Sequence, residues 1–495
     1  MLESVLLNLA HFVPETTLVV TFCAVLLGDV LFRGRPRIPW FLGLLGVILA
    51  GVFAAQQFGL NRPIFDSMVV VDPFASFFKV LVALCAALIF LMSLFSEEAK
   101  ASAHRMGEYA ALLVSASLGM FLMAGASNLL MIVLALELTS LSSYVLAGYT
   151  KEAGDASEAS LKYLLYGALS SGVMLYGISL LYGVTGATDL LGIRIALRDA
   201  QAVNAPVLLI SSVMILVGFG YKISAVPFHF WTPDVYEGAP ITVTAFLSVA
   251  SKAAGFAMMI RFFVSTSGTQ LGSDALATVQ TFEWPRLVAI LSVLSMTLGN
   301  LVAIWQNNLK RMLAYSSIAH AGTMLMAVVV FSQNGIAAVL IYFVVYLFMN
   351  LGAFYLVMLI AGATGSEDIE SYKGLGHRAP LVGVALVIFL ISLTGLPPTA
   401  GFIGKLYVFS ALLDAKWIWL AVVGALNSVV SLYYYVRVIR NMYLRDPESQ
   451  PAPVVLSAGQ TALLLVLLVP TLVLGLYFAP LVEWAHASVV LFGVR

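Results

Sequence analysis

Apolar runs of about twenty residues recur along all 495 positions of this chain. A helix rises 1.5 Å per residue, so such a run spans a hydrocarbon core roughly 30 Å thick with every backbone N–H and C=O paired internally. Fourteen candidate spans lie near 14–32, 38–56, 74–94, 107–125, 128–149, 160–183, 206–236, 240–263, 286–305, 312–331, 335–361, 380–413, 417–440 and 455–478. The expected fold is an all-α polytopic membrane protein of about fourteen transmembrane helices. Charged residues make up 10% of the chain, against about 25% in soluble domains, which excludes a soluble globular reading. Lys+Arg and Asp+Glu are both 25, so there is no net field to draw nucleic acid. No loop exceeds about 25 residues, and none can form an extramembrane domain for a nucleotide or a redox centre.

Alternating the short loops between two sides puts thirteen basic residues on one, among them Arg33, Arg35, Lys100, Arg105, Lys151, Lys310, Arg311 and Arg437, and seven on the other, among them Arg495. The positive-inside bias makes the first side cytoplasmic and places both termini outside. The first residues lack the basic region and small-residue cleavage site of a signal peptide, so the first run is expected to be retained. Cys23 and Cys85 cannot supply the four thiolates of an iron–sulfur cluster or structural zinc site, and both read as small buried hydrophobes. No His, Cys and carboxylate cluster has metal-ligand spacing.

An internal repeat organises the spans. Ser127-Asn128-Leu129 matches Asn307-Asn308-Leu309 at an offset of 180, and the segment from Gly183 to Leu190 matches that from Gly362 to Ile369 at 179. Lys222 then matches Lys405 at 183. The chain divides into 1–104 with three spans, units 105–264 and 285–444 of five spans each, and 445–495 with the last span and tail. Five is odd, so the two units sit in opposite orientations, the inverted-repeat plan of many ion and solute carriers. Such carriers place discontinuous helices at their site. The over-long seventh and twelfth runs carry the breakers: Gly218, Gly220 and Pro227 in one, Gly395, Pro397, Pro398 and Gly401 in the other. A simple packing kink is the rival reading, against which each break adjoins a lysine.

A charge at the bilayer centre costs roughly 2.5 to 3.5 kcal/mol on insertion scales, so every such residue is a functional hypothesis. Glu137 lies in the fifth run, Lys222 near the centre of the seventh, Lys252 midway along the eighth and Lys405 just past the twelfth-run break. Lys162 opens the sixth, where snorkelling to the interface is the alternative. Burial lowers a lysine's proton affinity and a nearby carboxylate raises it, so a Glu/Lys pair acts as a proton switch. Arginine would stay charged and could not relay. The rival reading is a set of static ion pairs. His320 and His229 are candidate relays, with hydrogen-bonded core histidines as the plainer reading. Lys79, seven residues after Asp72, reads as an interfacial anchor, as do Tyr433, Tyr434 and Tyr435 with Arg437 and Arg440. Glu367, Asp368 and Glu370 read as a solvated turn. Gly218-Phe-Gly220 lacks the third glycine of a dinucleotide fingerprint, and Gly404-Lys405 lacks a phosphate loop's other residues.

Five blocks carry a family likeness: ALELTSLSSYVLAGY, LKYLLYGALSSGVMLYG, GFGYKISAVPFHFWTPDVYEGAP, NLKRMLAYSSIAHAG and GLPPTAGFIGKLYVF. Together they resemble subunit N of bacterial NADH:quinone oxidoreductase, or respiratory complex I, in the antiporter-like membrane subunit family. The resemblance covers nearly the whole chain and is strongest over 105–445. It implies a proton-translocating membrane-arm subunit with no redox centre of its own, in the bacterial inner membrane. NADH, flavin, iron–sulfur clusters and quinone would be handled by partner subunits, and neighbouring antiporter-like subunits would flank it. Residue by residue, it makes Glu137 and Lys222 the coupling pair, Lys252 the central relay and Lys405 the terminal relay, with Lys162 matching the family's sixth-helix lysine. A lysine at 405 sets the chain apart from sister subunit M, which has a carboxylate there. A stand-alone cation/proton antiporter subunit and a structural spacer remain open alternatives.

Overall fold

The computed structural model describes residues 8–32, 35, 37–98, 106–150, 154–198, 205–271, 275–278, 284–446 and 454–493. Arg33, Lys100, Arg105, Lys151 and Arg495, used in the side assignment, lie outside the described residues. Thirteen helices among the described residues are long and apolar enough to cross a membrane. In order come α1 (Val13–Leu31), α2 (Arg37–Gln56), the hairpin β1 (Arg62–Ile64) and β2 (Val69–Val71), and α3 (Pro73–Ser93). The first unit follows as α4 (Met106–Gly125), α5 (Leu129–Ala147), α6 (Gly154–Thr185), the short α7 (Leu190–Arg198), α8 (Ala205–Ile223), α9 (Trp231–Gly238), α10 (Ile241–Phe246) and α11 (Lys252–Ser267). A π-helical turn, Leu247–Ser251, joins α10 to α11 into one fully buried span. A second hairpin, β3 (Gly268–Leu271) with β4 (Ala275–Thr278), leads to the second unit.

That unit comprises α12 (Trp284–Ile304), α13 (Leu309–Val329), α14 (Gln333–Thr364), the single turn α15 (Leu375–Arg378), α16 (Pro380–Thr394), α17 (Ala400–Asp414) and α18 (Ile418–Leu444). The chain closes with α19 (Ala458–Leu476) and α20 (Ala479–Ser488). The twelfth run is thus two helices of 15 residues, each too short to cross alone. The core centres on α10–α11, α13 and α14, buried along almost their entire lengths.

The repeat reappears as matching local geometry. Helices α5 and α13 both start at an asparagine whose side chain caps the helix, Asn128 and Asn308. Helices α6 and α14 are both 32 residues long and end on threonine. Gly186 and Gly365 follow at φ of +67° and +71°, left-handed backbone that favours glycine. The chain then bridges back to the start of the preceding helix. The Leu129 N–H donates to Thr188 O (2.8 Å) and the Leu190 N–H to Ser127 O (3.0 Å). In the second unit the Leu309 N–H donates to Glu367 O (2.9 Å) and the Ile369 N–H to Asn307 O (2.8 Å). These are the segments whose sequences matched at 179 and 180.

Four assignments change. Lys79 is no interfacial anchor: it is completely buried and ion-paired with Glu15 of α1 at 2.6 Å. Cys23 faces outward while Cys85 is buried, since hydropathy does not reveal which face of a span packs. Tyr433 is exposed, but Tyr434 and Tyr435 turn inward, because neighbours on a helix point in different directions. The acidic turn is only partly solvated: Glu367 accepts from Lys310 (2.8 Å) and Asn308 (3.1 Å), fastening the turn to the start of α13.

Candidate functional site

Both breaks are real, and hydrogen bonds to buried neighbours brace the irregular backbone of the first. In the first, α8 stops at Ile223, Ser224 takes a φ of +62°, and helix resumes at Trp231. The Trp231 indole N–H reaches back across the gap to Tyr221 O (3.1 Å), and the Val226 N–H donates to Ser295 Oγ on α12 (2.9 Å). This is the buried-partner condition under which irregular backbone survives at membrane depth. Gly220 leaves room for the Phe228 ring, whereas Gly218 packs on Met174 of α6 and belongs to helix packing instead of the break. In the second, Gly395 at φ +88° ends α16, Pro397 and Pro398 contribute no N–H, and α17 begins at Ala400.

The two break lysines stand on opposite sides of their gaps. Pro227 and Pro397 differ by 170, whereas the lysines differ by 183. Lys222 occupies the last turn of α8, before its break. Lys405 lies in α17, after its break, yet its Nζ folds back to donate to Thr394 O (2.6 Å), the last residue of α16. Both are therefore associated with the C-terminal end of the helix that precedes the break, where the helix dipole favours a cation. Lys405 also donates to Ser428 Oγ on α18 (3.1 Å).

Lys222 donates to Ser140 Oγ at 3.3 Å. Glu137 lies one turn earlier on α5, partly exposed on a face it shares with outward-pointing Leu134 and Leu141. Among the described residues no ion pair joins Glu137 to Lys222, so the expected pair is linked through adjacent positions on α5 and not by contact. Lys252, at the start of α11, donates to the backbone O (3.0 Å) and the hydroxyl of Ser317 on α13. Its ammonium also lies 6.0 Å from the Tyr236 ring centre. Among the described residues none of Lys222, Lys252 and Lys405 has a carboxylate partner, and all three are buried.

Helix α13 connects Lys252 to the second break. Ser317 meets Lys252, and one turn on His320 shares hydrogen bonds with Tyr342 (2.8 Å) and Tyr435 (3.4 Å). His320 and Lys405 line the same cavity of about 10 Å³ with Asn300, Thr323, Ser428 and Tyr434, room for about one water. Tyr434 donates to Asn300 Oδ1 (3.0 Å) and Tyr435 bonds Ser316. His229 stands apart in the first break, its ring 4.6 Å from Phe230, with no hydrogen bond to any of these lysines among the described residues.

Lys162 also stands apart, 37% exposed and paired with Glu158 (2.8 Å) and Asp234 (2.6 Å). Asp234 pairs in turn with Arg311 (2.9 Å), which also pairs with Glu237. With Asp155 these residues line a pocket of about 290 Å³. The sequence assigns Asp234, Glu237 and Arg311 no role in a site, because each sits near an element end where charge is ordinary. Their spacing in the chain carries no sign that they meet.

Two broken runs with a buried lysine at each break, and a third buried lysine and a histidine on the helices packed between them, define an antiporter-type membrane subunit of inverted-repeat plan. Residues 126–431 match the family described as NADH:quinone oxidoreductase/Mrp antiporter, TM. The chain is 49% identical to NADH-quinone oxidoreductase subunit N 2 of Chloroherpeton thalassium, over 97% of this chain and 94% of that protein. It is 46% identical to NADH-quinone oxidoreductase subunit N of Chlorobium chlorochromatii, covering 99% and 96%. Among solved structures it superposes on a chain of respiratory complex I from Thermus thermophilus with a TM-score of 0.78 at 32% identity, covering 96% and 99%. The chain belongs to the NADH-quinone oxidoreductase subunit N family.

Proposed function

We propose that this chain is the proton-translocating, non-redox membrane-arm subunit of an NADH:quinone oxidoreductase, with Lys222, Lys252, His320 and Lys405 as its relay and Glu137 as the group that biases it. The observation that carries this is the set of three buried lysines that, among the described residues, are held by hydroxyls and carbonyls and by no carboxylate. An ammonium locked to a carboxylate keeps its proton, whereas one held by neutral groups in a low dielectric can release it. Within units 105–264 and 285–444, Lys222 and Lys405 serve two half-channels, Lys252 and Ser317 link them, and His320 passes protons to the cavity at Lys405. Glu137 acts on Lys222 through space, from the face turned to a neighbouring antiporter-like subunit, so a charge change next door reaches Lys222 without contact. His229 is not part of this path. Lys162, with Asp234, Glu237 and Arg311, guards its mouth on the side richer in basic residues.

On this reading the membrane is the bacterial inner membrane, both termini face outward, and protons move from cytoplasm to the outer side. NADH, flavin, iron–sulfur clusters and quinone belong to partner subunits. The test is NADH-driven proton uptake by the purified complex in sealed vesicles. Lys252→Met should abolish uptake assigned to this subunit while flavin-site NADH oxidation by an artificial acceptor stays normal. Undiminished uptake would reject the relay. Cation exchange by the isolated chain without NADH would favour the stand-alone antiporter, and full uptake after neutralising all three lysines would favour the spacer.

A further inference from the structure

We infer that Gly255 is a positioning residue for Lys222, an inference that rests on Lys222 being a relay group as proposed above. Gly255 lies in α11, three residues after Lys252 and so about one turn along the same helix. A Cβ placed there would lie 3.1 Å from Lys222 Cγ, 3.6 Å from Lys222 Cβ and 2.9 Å from Cγ2 of Ile223. The bare backbone is thus a slot across which the lysine stem passes where α8 meets α11.

Backbone conformation does not require glycine here. Position 255 is inside a helix with no positive φ, and alanine is the better helix former. The space is what requires it. The Lys222 Nζ reaches Ser140 at 3.3 Å, beyond the usual range for such a bond, so a push of a few tenths of an ångström on the stem decides whether it forms. The same slot brings Lys222 against the helix that carries Lys252, fixing the first relay step. Lys405 uses the device at its own break: a Cβ at Gly395 would lie 2.6 Å from its Cδ and 3.4 Å from its Nζ. The φ of +88° strains any substitution at 395, which leaves Gly255 as the position where the slot can be tested by itself.

The experiment compares Gly255→Ala, Ile223→Ala, their combination, Lys222→Ala and Gly255→Ala/Lys222→Ala in the whole complex. Thermal stability, quinone-linked turnover and NADH-driven proton uptake are measured for each. Gly255→Ala should assemble with a melting midpoint close to the parent's, the better helix propensity of alanine offsetting the crowding at Ile223, and lose about three- to tenfold in uptake, the scale of a small misplacement of a reacting group. The loss should persist with Ile223→Ala, which removes the other crowded methyl but not the lysine contact. Adding Gly255→Ala to Lys222→Ala should cost nothing more, since the group being positioned is gone. Recovery with Ile223→Ala would show that only packing was disturbed and overturn the proposal. So would a further loss on top of Lys222→Ala, or parental uptake in Gly255→Ala while Lys222→Ala is impaired. Normal uptake in Lys222→Ala would instead remove the relay reading itself, and the positioning role with it.

Discussion

The contacts that fasten α1 and α3 to the rest of the bundle and the candidate relay at the centre of the repeats treat buried cations in opposite ways. Lys79 on α3 is ion-paired with Glu15 on α1, and Arg261 on α11 holds Asp72, the residue capping α3, through two bonds of 2.7 and 2.8 Å. Asp72 also accepts from the Ala75 and Phe492 N–H groups, and Arg261 donates to Ala124 O. Among the described residues the ammonium groups of Lys222, Lys252 and Lys405 bond to hydroxyls and carbonyls, with a ring near Lys252, and to no carboxylate. The difference separates fastening from transport. A buried pair with its charges matched is costly to break, and it ties α1 to α3, α3 to α11, and the C-terminal tail to both. A lysine surrounded by neutral dipoles loses little when its proton leaves.

The largest effect should therefore come from the fastening pairs and fall on stability. Asp72→Asn leaves the Arg261 charge buried without its partner, at a cost of about 3 to 5 kcal/mol, and should strip this subunit from the detergent-solubilised complex. Asp72→Asn/Arg261→Gln should retain more subunit than Asp72→Asn alone. A single variant as stable as the parent would erase the distinction between the two kinds of cation.

Next in size are the relay lysines, and here activity should fall while assembly holds. Lys405→Ala should lower NADH-driven proton uptake at least about tenfold, and Lys405→Arg should be nearly as poor, because a guanidinium keeps its proton at accessible pH. Lys405→His should keep more uptake than either. Full pumping with arginine would move Lys405 into the fastening class.

Smaller effects should separate the two breaks. Ser140→Ala removes the one hydrogen-bond partner the described residues give Lys222, whereas Ser428→Ala leaves Lys405 still bonded to Thr394 O. Losing a hydrogen bond to a charged group is worth about 1.5 to 3 kcal/mol. The long 3.3 Å bond puts Ser140→Ala at the lower end, roughly tenfold in uptake, with Ser428→Ala nearer twofold. Equal losses would mean that the breaks hold their lysines alike. Smallest of all, Glu137→Gln should lower uptake severalfold and lose most of that effect in a Lys222→Ala background, since without contact the coupling passes through that one ammonium. Fully additive losses would exclude it.

Much of this protein was legible because the bilayer leaves few choices. Hydropathy alone located each of the thirteen membrane-length helices among the described residues, since a lipid-exposed backbone must satisfy itself within a helix. Matches such as Asn128 with Asn308 and Gly186 with Gly365 located the repeat, because caps and left-handed turns depend on local residue identity. Glycines, prolines and lysines in apolar runs located both breaks. What the chain could not reveal is which side chains meet across helices. Glu15 and Lys79 are 64 residues apart, and Asp72 and Arg261 are 189 apart. Nothing in either neighbourhood distinguishes a locked cation from one at an interface. The same limit hid the return of Lys405 to the end of α16, the lack of an ion pair between Glu137 and Lys222 among the described residues, and the slot at Gly255. Span, cap and break are decided within one turn of helix, where sequence neighbours are neighbours in space. Partnership of buried charges is decided by how the helices rotate and pack, and only the folded bundle sets that.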